Sequence, residues 1–497
     1  VRARPRVLWR STGARALTPG VTMLFPGPVL EALERAPART AIEHGERVVT
    51  RGELLGLVAR CADGLRASGL RPGSSVLVVA ASTPEVYAAQ LAAHALGCLV
   101  GMARPGWGPV RTAEARAAGF DAVLTGAEVD EVAAGSARSS ATGAAEAGAR
   151  PDDLARLTFT SGSTGSPKAP VQTYRAYSLA YRPAAWPPPL KALMANFERC
   201  LIHASLASPV MMTYLGRTLV AGGVAIIPEL PLAEAISAHR ATATMMAPPV
   251  LGGLLDQDAD LRGLRALVLG GAPAAPSLLE RAADRLGPVI WQGYGQAEAG
   301  VIAMLTPDDV AAGRTGAVGR PLPAVQVSLR DGGGRPVPHG ADGEVWVRSP
   351  HMMAGYWRAP ELTSEVLHDG WLRTRDLGFL DRDGLLHLTG RTRDVIIVGA
   401  EVCYAGAIER VLAAHPDVEQ AFVVGAPDRE TGEAVHAFVV PAAGRAPDLG
   451  ALAALVPEAL SAASTPRSIT VIREVPLNAA GKPDKRALRP TGPSATR

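Results

Sequence analysis

Between residues 25 and 125 the apolar positions follow two alternating spacings. VLEALERA and ELLGLVARCADGLRASGL carry them three and four apart, SSVLVVAAS is almost continuously apolar, and PEVYAAQLAAHALG returns to the helical spacing. Helical faces alternating with fully apolar strands predict a largely parallel sheet covered by helices. Residues 128 to 150 are small and polar and predict a surface connection or a weak helix. Two more apolar runs, RALVLGG at 265 to 271 and PVIWQGYG at 288 to 295, each end in glycine. Strand ends of this kind are where open α/β sheets place ligands.

Beyond residue 315 the segments shorten to GEVWVRS and GLLHLTG, separated by turns. GRTRDVIIVGA then introduces a last region with helix AIERVLAAH, strands EQAFVVGAP and EAVHAFVVP, and helix ALAALVPEALSAA. The pattern predicts an α/β protein with a large N-terminal domain of several subdomains, residues 1–392, and a small α+β C-terminal domain, residues 393–497.

A chain of 497 residues can bury more than one core. Its net charge of +3 argues against a dedicated nucleic-acid binder, which gathers basic residues on one face. Four cysteines without metal or disulfide spacing suit a reducing compartment. No apolar run reaches membrane-spanning length, and the basic start VRARPRVLWRSTGARA lacks the apolar core of a secretion signal, so a cytoplasmic protein is expected. Of 50 basic residues only Lys168, Lys191, Lys482 and Lys485 are lysines. A lysine kept against that bias marks a place where a compact three-donor ammonium has a use.

Lys168 closes the stretch TFTSGSTGSPKAP, residues 158 to 170, which concentrates hydroxyls, glycines and one ammonium. Small residues let backbone N–H groups close on phosphate oxygens while hydroxyls add further donors. The spacing is not GxxxxGK[ST], because Ser166 and Pro167 separate Gly165 from Lys168 and Ala169 follows it. A P-loop hydrolase is therefore disfavoured.

With TSGSTGSPK, LVLGGAP, GYGQAE, GEVWVRS, GYW, WLRTRDLGFLDRDG, GRTRDVIIVGAEV and PLNAAGKPDKRAL in that order, the chain resembles the adenylate-forming superfamily of acyl-CoA synthetases, peptide-synthetase adenylation domains and firefly-type luciferases. The resemblance implies ATP, Mg²⁺ and coenzyme A as cosubstrates and a mobile C-terminal domain. By the same resemblance Thr160, Ser161, Gly162, Ser163, Thr164, Gly165 and Lys168 bind the leaving pyrophosphate. Gly271, Ala272 and Pro273 line the adenine, with Tyr294 and Gly295 against its face. Asp376 and Arg391 contact the ribose, and Glu298 is the Mg²⁺ ligand. Lys482 bridges the substrate carboxylate and the α-phosphate, and Arg393 is the hinge. Departures from the family pattern stand at Ala297, where a threonine is usual, and at Ala169, Ala400, Ala405 and Ala407. They leave open a nucleotide-binding pseudoenzyme or interaction protein.

Amino-acid-activating relatives place an aspartate after the phosphate loop to meet the substrate ammonium. Residues 200 to 228 contain no Asp or Glu, so an α-amino acid is disfavoured. Where many acyl-activating relatives read PLFH this chain reads SLAS. Ala207, Ser208, Met211, Met212 and Gly293 therefore suggest a roomy apolar pocket for a bulky or extended carboxylic acid. His203, a lone histidine nearby, reads as structural. Seven residues follow Pro490, so the expected acceptor is separate: coenzyme A, or alternatively a free-standing carrier protein.

Overall fold

The computed structural model describes residues 23–103, 119–135, 148–159, 169–272, 274–392, 394–399, 401–428, 430–477 and 483–488. In the nine-stranded sheet, Ile290–Gln296, Ala266–Gly270, Ala243–Met246, Arg199–Leu201, Val224–Ile227 and Thr40–His44 run parallel, each beside the next. Antiparallel strands close both edges, Arg47–Thr50 on one side and Gly300–Leu305 with Arg320–Pro321 on the other. A six-stranded sheet has the same plan. Leu154–Thr158, Leu99–Ala103, Ser75–Val79 and Ala122–Thr125 are parallel, and Pro170–Thr173 and Gly355–Tyr356 add antiparallel to its edge.

Local sequence explains the covering helices. Helix Arg51–Ala67 begins at Thr50, whose hydroxyl accepts the Glu53 N–H while Glu53 accepts the Thr50 N–H, a reciprocal cap. Its Leu54, Leu57, Val58, Cys61 and Leu65 fall on one buried face. Helix Pro84–Ala95 starts from a Thr83 cap with proline in its first turn and is buried on nearly every side, which its alanines permit. Its His94 packs among Phe25, Tyr174 and Tyr177.

A third, antiparallel sheet contains Gln326–Arg330, Gly343–Arg348, Trp371–Leu380 and Leu386–Arg391. The chain leaves it into the small α+β C-terminal domain. There Val395–Val398, Glu401–Tyr404, Val418–Asp428, Gly432–Pro441 and Ser468–Val471 form a sheet. Ile396, Ile408, Leu412, Val423, Val439 and Leu452 make its separate core. Arg410 Nη1 donates to the Leu388 carbonyl at 2.6 Å, and Arg281 lies 3.6 Å from Glu419, so the small domain touches both the third sheet and helix Pro276–Leu286.

The large domain thus carries its two biggest sheets in mostly parallel form, as the hydrophobic pattern predicts. All four cysteines are free and buried, and burial pushes the thiols of Cys61, Cys98 and Cys200 up to about 12. Those three thiols are poor nucleophiles. Among the described residues no helix is long and apolar enough to cross a membrane.

Candidate active site

Asp376 lies in strand Trp371–Leu380, paired with Arg391 of strand Leu386–Arg391, and is 2% exposed. A carboxylate taken out of water needs donors. Tyr294 Oη donates to its Oδ2 at 2.6 Å, Gln296 Nε2 donates to the same oxygen at 2.7 Å, and Arg391 Nε donates to Oδ1 at 2.8 Å. Tyr294 and Gln296 share one face of strand Ile290–Gln296, as residues two apart must, so this cluster joins the nine-stranded sheet to the third sheet. Gln296 Nε2 also lies 3.0 Å from the Thr374 carbonyl. Burial, and next the Asp376 charge, hold the Tyr294 phenol well above its usual range, so it remains a donor. The same charge raises Arg391.

Two residues after Gln296, Glu298 Oε1 accepts the Tyr356 hydroxyl at 2.9 Å, and its carbonyl accepts the Met353 N–H at 2.8 Å. Burial and then Glu298 push the Tyr356 phenol up. Tyr356 sits in the edge strand paired with Pro170–Thr173, and the Trp357 N–H bonds the Ala169 carbonyl. Glu298 is thereby tied to the strand that follows the hydroxyl-rich loop. Gly295 has no alternative here, since a Cβ would stand 2.3 Å from the Gly300 carbonyl oxygen. Gly271 adopts φ +83°, the left-handed region open to glycine, and turns the chain at the end of its strand.

Gly293 borders open space, with nothing within 4 Å of where a Cβ would be. Ser208 immediately precedes helix Pro209–Val220 without a side-chain capping bond, and Val210 at the helix start is 47% exposed. Met211 and Met212 turn into the core instead. With Ala207, Met212 lines a cavity of about 10 Å³, room for roughly one water, whose remaining wall includes Gln90, His94, Arg156 and Thr158. Met212 therefore borders a small, partly polar space. His203 Nε2 lies 2.8 Å from the Met245 carbonyl, and burial lowers its pKa, which fits a neutral structural ring.

Thr160, Ser161, Gly162, Ser163, Thr164, Gly165, Lys168, Pro273, Arg393, Ala400 and Lys482 lie outside the described residues. The flanks of two of these stretches are defined. Leu154–Thr158 and Pro170–Thr173 pair antiparallel on either side of the loop, and Leu477 pairs with Pro483 around residues 478–482. Just beyond, Lys485 Nζ sits 2.7 Å from Glu409 and 3.6 Å from Asp394, the residue after the expected hinge. Sequence reasoning missed Gln296, Tyr356 and this Lys485 pairing. The first two stand inside the motifs GYGQAE and GYW, where their polar ends were the available signal.

The molecule combines a mostly parallel α/β body, a small α+β domain leaving its third sheet, and a buried carboxylate where two sheets meet. A profile for AMP-binding enzymes matches residues 29–357, and one for the AMP-binding enzyme C-terminal domain matches residues 407–482. The chain belongs to this family. Feruloyl-CoA synthase of an Amycolatopsis species is 33% identical over 477 residues, 90% of this chain and 94% of that protein. Medium/long-chain-fatty-acid–CoA ligase FadD8 of Mycobacterium tuberculosis is 36% identical over 320 residues, 61% of this chain and 54% of that protein, so the match spans about half of that relative. Amide bond synthetase McbA of Marinactinospora thermotolerans superposes with a TM-score of 0.77 at 35% identity, covering 92% of this chain and 98% of that one. The chain falls among acyl-CoA-synthetase-type enzymes.

Proposed function

We propose that the protein is an AMP-forming acid–thiol ligase. A carboxylate attacks the α-phosphate of ATP, pyrophosphate leaves, and the acyl-AMP then passes its acyl group to coenzyme A. The observation that carries this reading is the buried Asp376, held by Tyr294, Gln296 and Arg391 at the junction of two sheets. An ionised carboxylate has about four acceptor sites, and three are filled. Arg391, whose side chain is 61% exposed, is the donor free to turn toward a ribose hydroxyl and open a second site on Asp376.

In this reading Thr160, Ser161, Ser163, Thr164 and Lys168 hold the departing polyanion without reacting with it. Gly271, Ala272 and Pro273 line the adenine beside Tyr294. Mg²⁺ supplies charge neutralisation on the phosphates. Among the described residues no three carboxylate, histidine or cysteine side chains could cage a metal, and one carboxylate with phosphate oxygens is the mode Mg²⁺ favours, so Glu298 fits. Lys482 offsets repulsion between carboxylate and phosphate. It belongs to the C-terminal domain, which begins at Arg393 and swings between the half-reactions.

The acid is bulky or extended and carries no α-ammonium. Helix Pro209–Val220 has one charged residue, Arg217, itself a cation, so no counter-ion for a substrate ammonium stands on it. Coenzyme A is the acceptor, supported by the full-length likeness to feruloyl-CoA synthase. An amine acceptor is the second reading, raised by the equally complete likeness to an amide bond synthetase. Pyrophosphate release is measured across aryl, fatty and polycyclic acids with coenzyme A, an amine or neither. Release requiring an acid, with thioester formed only when coenzyme A is present, is expected. Amide formation without thioester would replace the acceptor, and release indifferent to every acid would remove the function.

A further inference from the structure

Strand Trp371–Leu380 does not pair evenly with Gly343–Arg348. Glu344 faces Leu377 and Trp346 faces Arg373, so two steps on one strand meet four on the other and residues 374–376 bulge. Bulges bend a strand and re-aim its side chains, and their left-handed position belongs by preference to glycine. Here that position holds Arg375, at φ +65°. A long cation in a conformation that disfavours any side chain is a local conflict in the sequence, and such conflicts gather at functional sites.

The guanidinium is also incompletely used. Its Nη2 donates to Glu365 Oε2 at 2.8 Å, while Nη1 is buried without a hydrogen-bond partner, and the side chain is 15% exposed. A buried charged donor left unpaired calls for an acceptor. Its charge bears on the Tyr356 phenol, which holds Glu298, and its carbonyl accepts the Thr392 N–H at 2.8 Å, one residue before the hinge position. Arg375 is thus next in sequence to Asp376 and within electrostatic reach of Tyr356, which holds Glu298. Beside Glu298, Ala297 has no hydroxyl to offer a phosphate.

We propose that Arg375 is a phosphate-binding residue, its free Nη1–H donating to a phosphate oxygen of bound Mg-ATP. This rests on the function proposed above and adds a residue to it. Phosphate also occurs in coenzyme A, and the two sources are separated by measuring each half-reaction.

Arg375→Gln, Arg375→Lys and Arg375→Gly are compared with Glu365→Gln, which breaks the ion pair but keeps the guanidinium. Loss of one charge-assisted hydrogen bond should raise the ATP KM in acid-dependent pyrophosphate exchange about tenfold in Arg375→Gln, with the acid KM unchanged. Arg375→Lys should recover part of this, and Glu365→Gln should stay within about twofold because its guanidinium remains. Arg375→Gly, released from the left-handed strain, should melt at or above the wild-type temperature while binding ATP poorly. Calorimetric titration of unreacted protein with Mg-ATP reads the same loss without turnover, so a wild type that binds ATP but activates no acid would refute the function and still test Arg375. An unchanged ATP affinity with a lowered Tm would make Arg375 structural. A KM increase confined to coenzyme A, measured from preformed acyl-adenylate, would overturn the assignment to ATP.

Discussion

Asp376 and Glu298 lie close together in the fold and receive unequal support. Three side-chain donors from two strands converge on Asp376, and the residue is 2% exposed. Among the described residues one side chain, Tyr356, donates to Glu298. A carboxylate with three of about four acceptor sites filled is fixed in place and selects a ligand by shape, as positioning of a sugar requires. One with unfilled lone pairs keeps them for a cation, whose charge its own negative charge meets directly. Under the proposed function, the carboxylate assigned to the ribose is built before the ligand arrives, and the one assigned to the cation is completed by it.

The largest expected effect lies outside both carboxylates. Lys482→Ala should lower acyl-adenylate formation by about a hundredfold or more, the scale of removing a preorganised electrostatic group. Thioester formation from supplied acyl-adenylate should remain within a few-fold, and equal loss in both half-reactions, followed by rapid quench, would refute the assigned role. Next come the two carboxylates. Asp376→Asn should raise the ATP KM by about 10- to 100-fold at any Mg²⁺ concentration, because it removes a charge-assisted hydrogen bond to the ligand and unbalances Arg391. Glu298→Gln should cost about tenfold at low Mg²⁺ and recover as Mg²⁺ is raised. If both variants respond alike to Mg²⁺, the division between sugar end and cation end fails.

A smaller effect is expected at the acyl end. Ser208→Phe should reduce kcat/KM for large acids relative to small ones by about tenfold, overpacking a formed pocket costing roughly 1 to 3 kcal/mol. Equal falls for both would mean that the start of helix Pro209–Val220 does not line the acyl path. The smallest effect on the site comes from the core beneath it. Burial lowers His94 to about 3 and His351 to about 4, below the ordinary 6.5. Their folded forms stay neutral while the unfolded chain takes protons, so stability falls as pH drops from 6.5 toward 4, by up to about 1.4 kcal/mol per unit for each ring. Denaturant melts of His94→Gln at several pH values should show a shallower acid slope. An unaltered slope would clear His94 of that role.

The body of the fold was legible because its helices and strands carry opposite periods. The Thr50 capping box and the run SVLVV leave little choice of element. Less visible was the hairpin Thr40–His44 with Arg47–Thr50, whose strands are four or five residues long and whose Val48 is 55% exposed, so hydrophobic alternation is weak. The site was partly legible. Asp376, Arg391, Tyr294 and Glu298 stand in motifs, yet nothing in RTRDL announces a bulge with its arginine in the left-handed region. Met211 and Met212 looked like pocket walls from their position after SLAS. Which side of a helix meets the core depends on its neighbours; here both are buried, and Met212 also borders the small cavity beside Ala207.

Oxygen labelling tests the central claim most directly. An acid that supports pyrophosphate release is supplied with ¹⁸O in its carboxylate, and the AMP formed after transfer to coenzyme A is examined by mass spectrometry. If the carboxylate oxygen attacks the α-phosphorus and leaves with it when the thiol takes the acyl group, each AMP carries one ¹⁸O from the acid. AMP without label, or with label only when the water is labelled, would contradict acyl-adenylate formation.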